Sequence, residues 1–432
     1  MNLVIYLAGA ILFFALVMAS IGLHEIGHLV PGKLFGVKTT QYFVGFGRTL
    51  WSTRRGETEY GVKAVPLGGY VRFVGMYPPG QDHPGQVRTA RTGIFQTMAD
   101  QARAAEWETI RPEDEGRLFY QKKSWQKIII MAGGPAMNIL LAFLLLLGVT
   151  ATYGVNRTQL GVASVQPCVV PANATDQSCA GKAPTPAAQA GLQAGDTVVA
   201  FNGTRVGSWS EVSELIRANL DHPATLTVRR AGAEVVLPTV NTVVAGVPDT
   251  FDPSKRVAAG FLGVTPVVAR ERGGPVAVAK DMWTMTEQTA VALAHFPVKV
   301  FYTGYNLITG KPRDLYGPMS IVGASRAAGE IAATHQIDAA AKTAALFTVL
   351  GSVNLFVALF NFIPLLPLDG GHIAGALYEA LKRALARLFR RPDPGHVDTA
   401  KMLPVAYVVA SIIAVSGAVL ILADIVDPIK LF

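Results

Sequence analysis

Four stretches of this chain contain no Asp, Glu, Lys or Arg. They are between 22 and 26 residues long and cover Met1–Leu23, Ile128–Thr150, Thr343–Leu368 and Met402–Ala423. A helix needs about 20 apolar residues to cross the hydrocarbon core of a bilayer. Only 16% of the whole chain is charged, whereas soluble proteins average about 25%. The sequence therefore predicts four membrane-spanning helices and argues against a wholly soluble enzyme.

The first stretch could instead be a secretory signal peptide that is removed after export. A signal peptide begins with basic residues and ends at a small-residue cleavage site of the A-x-A type. Met1–Leu23 has no basic residue before its apolar run and no such site after it. We therefore expect this stretch to be retained as a span.

Basic residues are distributed unevenly among the connections between the spans. Lys and Arg outnumber Asp and Glu by 15 to 9 over 29–127 and by 6 to 4 over 369–401, but only by 16 to 14 over 151–342. Short cytoplasmic loops carry an excess of Lys and Arg. The pattern predicts that the first and last connections are cytoplasmic, and that the middle region and both termini are extracytoplasmic. The net charge of +8 then reflects topology, and we expect no nucleic-acid partner.

The connection after the first span contains short strand-like runs. Glu59–Phe73 is predicted to form two short strands around a Pro/Gly turn. Pro66 cannot donate a ladder hydrogen bond, so this hairpin is expected at the edge of a sheet. The polar segment Pro78–Gly116 is predicted to be a loop with a short helix around Gly93–Glu108.

The middle region has two parts. Leu160–Thr265 combines strand-like runs with a helical stretch at Ser210–Ala218, which predicts an α+β domain, and Pro266–Ala341 contains amphipathic helical patches. Cys168 and Cys179 both lie in the first part. Thiols in an oxidising compartment can pair, so we favour a structural disulfide over the alternative of two free cysteines.

Ionisable residues are concentrated at the end of the first span, in His24-Glu25-Ile26-Gly27-His28. Residues i and i+4 share one face of a helix. Two imidazoles there can hold a zinc ion, with the intervening Glu in reach of a zinc-bound water. Pro31 and Gly32 mark the expected end of this helix. The alternative to a metal site is an interfacial cluster that simply ends the span. Ionisable groups at membrane depth face a protein interior or a water-filled cavity, which favours the metal site.

A third ligand is needed, because a catalytic zinc takes three protein ligands and keeps one position open. Asp369 directly follows the third uncharged stretch. The helix is expected to break beside it, at Pro364, Pro367, Gly370 and Gly371. The alternatives are that Asp369 merely marks the cytoplasmic boundary, or that His372 is the ligand.

These two motifs, HEIGH and Asn361-Phe362-Ile363-Pro364-Leu365-Leu366-Pro367-Leu368-Asp369-Gly370-Gly371, resemble those of the site-2 proteases, the intramembrane zinc metalloproteases of peptidase family M50. The stretch Gly191–Gly203 is similar to the helix-to-strand turn of PDZ domains. The chain as a whole looks most like the actinobacterial members that cleave anti-sigma factors.

The resemblance implies a polytopic α-helical membrane protein with four transmembrane helices, a membrane-associated β-hairpin and one extracytoplasmic PDZ-like (α+β) domain. The expected order is as follows: first span with HExxH, 1–30; cytoplasmic or membrane-associated β region and loop, 31–127; second span, 128–150; PDZ-like domain, 160–265; extracytoplasmic helical region, 266–342; third span with the Asp-Gly motif, 343–370; cytoplasmic basic loop, 371–401; fourth span, 402–423.

The resemblance also implies roles for individual residues. His24, His28 and Asp369 match the ligands of one zinc ion, and Glu25 matches the general base. Asn361 and Asn354 resemble asparagines that contact the substrate, and the strand that receives the substrate as an added strand includes Gly68, Gly69, Tyr70 and Val71. Gly133-Gly134-Pro135 and Asn138 match a motif of the second span.

The function expected from this resemblance is hydrolysis of a peptide bond within or near the transmembrane helix of a single-pass membrane protein. An anti-sigma factor that has already been cut outside the bacterial plasma membrane is the expected substrate, and the lipid bilayer is the expected environment. A zinc transporter is an alternative, but it predicts more spans and several conducting polar residues. An inactive membrane scaffold is a further alternative, against which the intact His24, Glu25, His28 and Asp369 argue.

Overall fold

The computed structural model describes residues 2–78, 110–169, 178–248 and 256–429. The chain divides into two compact units, one built from 1–149, 275–313 and 317–432 and the other from 150–274 with 314–316. The short helix expected around Gly93–Glu108 lies outside the described residues.

Long apolar helices dominate the first unit. In chain order the helices of the described residues are α1 (Leu3–Leu34), α2 (Ser124–Thr152), α3 (Pro186–Gln189), α4 (Trp209–Ala218), α5 (Pro275–Thr309), α6 (Ile321–Ala333), α7 (Ala339–Asn361), α8 (Asp369–Leu388) and α9 (Leu403–Val426). Within the described residues, α1, α2, α7 and α9 with the 3-10 turn before it are long and apolar enough to cross a membrane. These helices confirm the four predicted spans as candidate membrane helices.

Helix α1 runs three residues beyond its expected end at Pro31. Pro31 has no N–H to donate to the carbonyl of Gly27, and that carbonyl lies against the backbone of Gly133 on α2. The helix continues to Leu34 because a proline removes this one hydrogen bond without preventing the bonds that follow.

The third span and the connection after it also differ from the prediction. Helix α7 ends at Asn361, residues 362–368 are irregular, and α8 begins at Asp369. The break expected from the prolines and glycines is present. The predicted basic loop 371–401 is largely the helix α8, because its many Ala, Leu, Lys and Arg residues have high helix propensity.

Two helices from the predicted region 266–342 belong to the first unit. Helix α6 packs closely on α1, where Gly9 faces Ala332 and Gly329 faces the backbone and ring of Tyr6. The segment before α6 is held by a buried ion pair in which Arg313 Nη1 lies 2.6 Å from Asp424 Oδ1 on α9.

A small antiparallel sheet lies between α1 and α2 in the chain, formed by β1 (Thr39–Arg55) and β2 (Thr58–Phe73). The prediction that the two halves of Glu59–Phe73 pair with each other is wrong. Tyr42 pairs with Tyr60 on one side and with Val71 on the other, so the first part of β1 separates the two halves of β2.

Glycines explain this arrangement. Gly45 and Gly47 have φ values of +95° and +80°, a region that other residues rarely adopt. The bend they allow turns the rest of β1 back along β2, where Thr53 pairs with Tyr60. The segment from Gly69 to Phe73 is left at one edge of the sheet, and Tyr42 donates a 2.8 Å hydrogen bond to the Gly22 carbonyl that holds the sheet on α1.

The second unit is an α+β unit, as the residues predicted. Its main antiparallel sheet has the order β12-β3-β4-β7-β8, with β5 paired to β4. Val162, Phe201, Val212 and Leu226 are buried together between this sheet and helix α4. The strands of the unit are β3 (Val155–Val165), β4 (Thr197–Phe201), β5 (Thr204–Arg205), β6 (Pro223–Ala224), β7 (Leu226–Arg230), β8 (Ala233–Val236), β9 (Val240–Asn241), β10 (Val243–Pro248), β11 (Arg256–Phe261) and β12 (Val264–Glu271).

Two local features stabilise this unit. Cys168 and Cys179 are joined in a disulfide. In the turn before β4, the buried Asp196 accepts hydrogen bonds from Arg230 and from the backbone N–H of Gln193. The bonds from Arg230 lower the pKa of the Asp196 carboxyl, so this carboxylate has a structural role in the turn.

Candidate active site

The end of α1 carries two imidazoles that face each other. His24 and His28 are both buried, and their Nε2 atoms lie 3.2 Å apart. Nδ1 of His28 lies 2.8 Å from the carbonyl oxygen of Ile130 on α2. A carbonyl only accepts hydrogen bonds, so this contact assigns the proton of His28 to Nδ1 and leaves the lone pair of Nε2 directed at the cluster.

Asp369, the first residue of α8, completes the cluster. Its Oδ2 lies 3.3 Å from Nε2 of His24 and 3.3 Å from Nε2 of His28. The three atoms therefore form a nearly equilateral triangle. Zinc ligands at about 2.0–2.1 Å in tetrahedral geometry are separated by about 3.3 Å, so the triangle has the dimensions that a zinc site requires.

The chemistry of the donor set also fits a metal ion. Among the described residues, His24 Nδ1 and Asp369 Oδ2 are buried without a hydrogen-bond partner. The cavity around them is lined by no Lys or Arg of the described chain. Burial alone would raise the pKa of the Asp369 carboxyl, but the two imidazoles hold it below its usual range. An ionised carboxylate and two imidazole lone pairs converge where the protein itself supplies no fixed cation.

Helix α2 approaches the two histidines closely because it carries glycine at the contact. A Cβ atom built on Gly134 would overlap Nε2 of His28 and lie 2.7 Å from Nε2 of His24. Any side chain at this position would displace the ligand atoms. Gly134, a residue of the second-span motif expected from the sequence, therefore lies against the two histidines because it has no side chain.

The general-base candidate Glu25 lies beside the edge of the small sheet. A Cβ atom on Gly69 would be 2.9 Å from Cγ of Glu25, and the backbone N–H of Val71 interacts with the Glu25 carboxylate. Both elements line a cavity of about 470 Å³ that also contains the three possible ligands. The sheet edge and the Glu25 carboxylate therefore lie side by side in this cavity.

The family follows from comparison with known proteins. Residues 12–390 match the model of peptidase family M50, which is more than half of the chain. The chain belongs to this family. This M50 peptidase is 32% identical to zinc metalloprotease Rip1 of Mycolicibacterium smegmatis over 98% of both chains, and 31% identical to Rip1 of Mycobacterium tuberculosis over 99% of both. It is 27% identical to metalloprotease MmpA of Caulobacter vibrioides over 85% of both.

The family expected from the two motifs is thereby confirmed, including the similarity to actinobacterial members. The M50 peptidase is a multi-pass membrane metalloprotease, and its cofactor is zinc.

The structure brings most of the predicted site residues into one cavity. His24, His28 and Asp369 form the one group of described residues that could hold a metal ion. The cavity lining also includes Glu25, Gly68, Gly69, Tyr70, Val71 and Asn361. The rival ligand His372 lines the cavity without joining the triangle, and burial lowers its pKa to about 4, so this imidazole is neutral.

Asn354 does not join them in the cavity lining. It is 2% exposed, and its Nδ2 donates to the Ser20 hydroxyl at 3.2 Å and to the Leu350 carbonyl at 2.9 Å. Asn354 lies two turns before Asn361 on α7, and its side chain joins α7 to α1 instead of facing the cavity. The structure therefore places Asn354 outside the lining of this cavity, and its contact with substrate stays a prediction.

A second buried cluster on α8 was not predicted. Glu379 is 2% exposed, and its carboxylate lies 2.9 Å from Nζ of Lys127 and 3.1 Å from Nη1 of Arg383. It also accepts hydrogen bonds from the Ser124 hydroxyl and from the backbone N–H of Val397. The cluster fastens the inner face of α8 to the start of α2, and we call it the Glu379 cluster.

Proposed function

We propose that this M50 peptidase hydrolyses a peptide bond within or near the transmembrane helix of a single-pass membrane protein. The observation that carries the proposal is the convergence of His24, His28 and Asp369 with Glu25 in one cavity at the end of an apolar helix. A water-filled cavity at this depth gives a hydrolase access to bonds that lipid otherwise shields.

In this proposal, His24, His28 and Asp369 hold the zinc ion. When bound, zinc supplies a Lewis acid that acidifies water and polarises the scissile carbonyl. The hydrogen bond between His28 and the Ile130 carbonyl fixes the orientation of this ring. The orphaned Asp369 oxygen and the imidazole lone pairs support this ligand set.

Glu25 is the proposed general base. Its carboxylate takes a proton from the attacking water and later returns a proton to the leaving amide nitrogen. Asn361, in the cavity wall, has an amide that can donate a hydrogen bond to the carbonyl oxygen as negative charge develops there.

The sheet edge at Gly68–Val71 is the proposed binding site for the substrate backbone. A peptide bond inside an intact helix has its N–H and C=O groups occupied, so the substrate helix must unwind locally before hydrolysis. An edge strand can accept the freed groups by strand addition. The edge passes directly beside Glu25, which would place the unwound bond next to the base.

The likeness of Gly191–Gly203 to PDZ domains supports a substrate filter in the second unit. We propose that this unit is a PDZ-like domain outside the plasma membrane, that both termini are on the same side, and that 31–127 and 371–401 are cytoplasmic. The domain would exclude substrates with a large external part, so that anti-sigma factors are cut only after a first external cleavage. Deletion of 160–265 should then allow cleavage of uncut substrates, and unchanged selectivity would contradict this filter.

The test of the catalytic proposal is Glu25→Gln in the full chain. We expect one zinc per chain by elemental analysis, and a loss of cleavage of a single-pass substrate of about 10²–10⁴-fold. Glu214→Gln, at an exposed position on α4, is the matched control and should cleave normally. Residual cleavage near the normal rate would eliminate Glu25 as the base, and absence of zinc from the unaltered chain would eliminate the ligand set.

A further inference from the structure

Helix α8 presents two different faces. Its inner face carries Ala376 and Glu379, which are buried against the rest of the first unit. The opposite face carries four leucines at helical spacing that are exposed by 44–74%: Leu377, Leu381, Leu385 and Leu388. Residues three and four apart share a face, so these leucines form one continuous apolar stripe, which we call the α8 stripe.

Basic residues border the α8 stripe. Lys382, Arg387, Arg390 and Arg391 are exposed on α8 or just after it. The acidic residue of this part of the helix, Glu379, is buried and paired with Lys127 and Arg383. The outer face of α8 therefore combines exposed leucines with a positive border.

The position of α8 in the chain supplies a second constraint. It connects α7 to α9, two helices long and apolar enough to span a membrane, and it does not itself qualify as a span within the described residues. A helix that is joined to a span at each end can reach the bilayer surface. Helices with an apolar face and a basic border lie in the plane of that surface, with the apolar face about 5–10 Å into the boundary between headgroups and acyl chains.

We propose that α8 is an interfacial helix that binds anionic phospholipid, with the α8 stripe in the acyl boundary and the basic border on the phosphate groups. Phosphate charge complements the border, and acyl chains cover the leucines. Asp369 is the first residue of this helix, so lipid binding would also fix the orientation of the segment that carries the third possible ligand. The inference goes beyond the proposed proteolysis and does not require it.

The first test measures where the stripe lies. Both cysteines of the chain are joined in the disulfide, so Leu385→Cys gives one reactive thiol for an environment-sensitive fluorophore. The labelled Glu25→Gln chain is placed in nanodiscs, which makes the result independent of cleavage. We expect quenching by lipids brominated on their acyl chains and protection from aqueous iodide. Quenching by iodide without quenching by bromolipid would overturn the proposal.

The second test measures which lipid is bound. In mixed nanodiscs, brominated phosphatidylglycerol should quench the label at a mole fraction at least about fivefold lower than brominated phosphatidylcholine. A difference of about fivefold corresponds to the attraction of one basic residue to an anionic surface. Lys382→Gln, Arg387→Gln and Arg391→Gln together should remove this preference. Arg205→Gln, Arg229→Gln and Arg256→Gln, exposed in the second unit, change the net charge equally and should leave it intact.

Two results would refute lipid binding by this helix. Equal quenching by both lipids would show that the basic border does not recognise the net negative charge of the anionic lipid, since both lipids carry a phosphate. Energy transfer between labelled chains, with no quenching by bromolipid, would show that a second copy covers the α8 stripe. Unfolding temperatures of both triple variants should match the parent, so that loss of preference is not loss of folding.

Discussion

Two buried clusters of ionisable residues share helix α8 and balance their charge in opposite ways. At the start of the helix, Asp369 faces the imidazoles of His24 and His28, and the lining of that cavity contributes no Lys or Arg from the described residues. Farther along, Glu379 is in contact with Lys127 and Arg383. The first cluster has its acceptors aimed at one point, and the second has each acceptor occupied by a protein donor.

This difference distinguishes a ligand-binding site from a structural cluster of ion pairs. Burial of a carboxylate is costly unless a partner compensates for the lost water. The protein supplies that partner for Glu379, so the Glu379 cluster is complete as the chain folds. Around Asp369 the partner must come from solution, which is the property expected of a metal-binding site.

The largest effect is expected from Asp369→Asn. It leaves the shape of the site unchanged but removes the charged ligand, so the zinc content should fall. Proteolysis should decrease by more than the roughly 10–100-fold that follows loss of a residue hydrogen-bonded to a metal ligand. Elemental analysis and cleavage assays measure both. The unfolding temperature of the zinc-free protein should change little, and a large drop would mean that Asp369 is a structural group like Glu379.

Glu379→Ala should have the opposite phenotype. It leaves Lys127 buried without its anion, and breaking such a buried pair destabilises by about 3–5 kcal/mol. Denaturant unfolding in detergent measures the loss, while zinc content of the folded fraction should stay at one per chain. The double variant Lys127→Met with Glu379→Met should recover part of the stability. Loss of zinc from the folded Glu379→Ala protein would contradict the assignment of the Glu379 cluster to a purely structural role.

Gly134→Ala should weaken the metal site without altering a ligand. The added methyl group would overlap the ligand nitrogen of His28, so zinc affinity should fall by roughly 10–100-fold, as for other changes that misorient a ligand. The control is Gly417→Ala on α9, where a Cβ atom meets no described atom within 4 Å. Competition with a fluorescent chelator gives the zinc affinity of each variant. Equal affinities would mean that α2 shifts to accommodate the added methyl group without displacing the histidines.

The smallest effect concerns His396, which faces Tyr120, Lys127, Glu379 and Arg383. Burial, followed by the charge of Lys127, lowers the pKa of His396 from 6.5, so the unfolded chain binds this proton more readily. The free energy of unfolding is then greatest above pH 6.5 and decreases as the pH falls below it.

His396→Gln should reduce the loss of unfolding free energy at acidic pH by less than about 1 kcal/mol, because the side chain is partly exposed and screened. Thermal unfolding between pH 7.5 and about 5 measures the slope. A steeper slope in the variant would reverse the assigned sign.

The residues of the metal site could be predicted from the sequence because ionisable groups are rare in apolar segments. HEIGH has a local spacing that one helix converts into a shared face, and Asp369 is conspicuous after an uncharged stretch. The partners of Glu379 and Asp424 could not be predicted in this way. Glu379 lies in the connection between two spans and Asp424 lies near a span end, where charges ordinarily contact water. Their partners Lys127 and Arg313 lie far away in the sequence.

The small sheet shows a different limit. The residues around Pro66 indicate strands but not how these strands pair, because alternation of apolar and polar residues is satisfied equally by several registers. The positive φ values at Gly45 and Gly47 decide the arrangement, and a glycine in a sequence does not reveal which φ it adopts. The edge that passes Glu25 depends on this bend.

The order of the ligand-bearing residues has a consequence during synthesis. His24 and His28 emerge from the ribosome with the first span, whereas Asp369 follows only after the second unit and α7 have been made. A chain that ends before Asp369 would therefore carry only two of the three proposed ligands. Under the proposed ligand set, the chain can therefore acquire proteolytic activity only when translation is nearly finished.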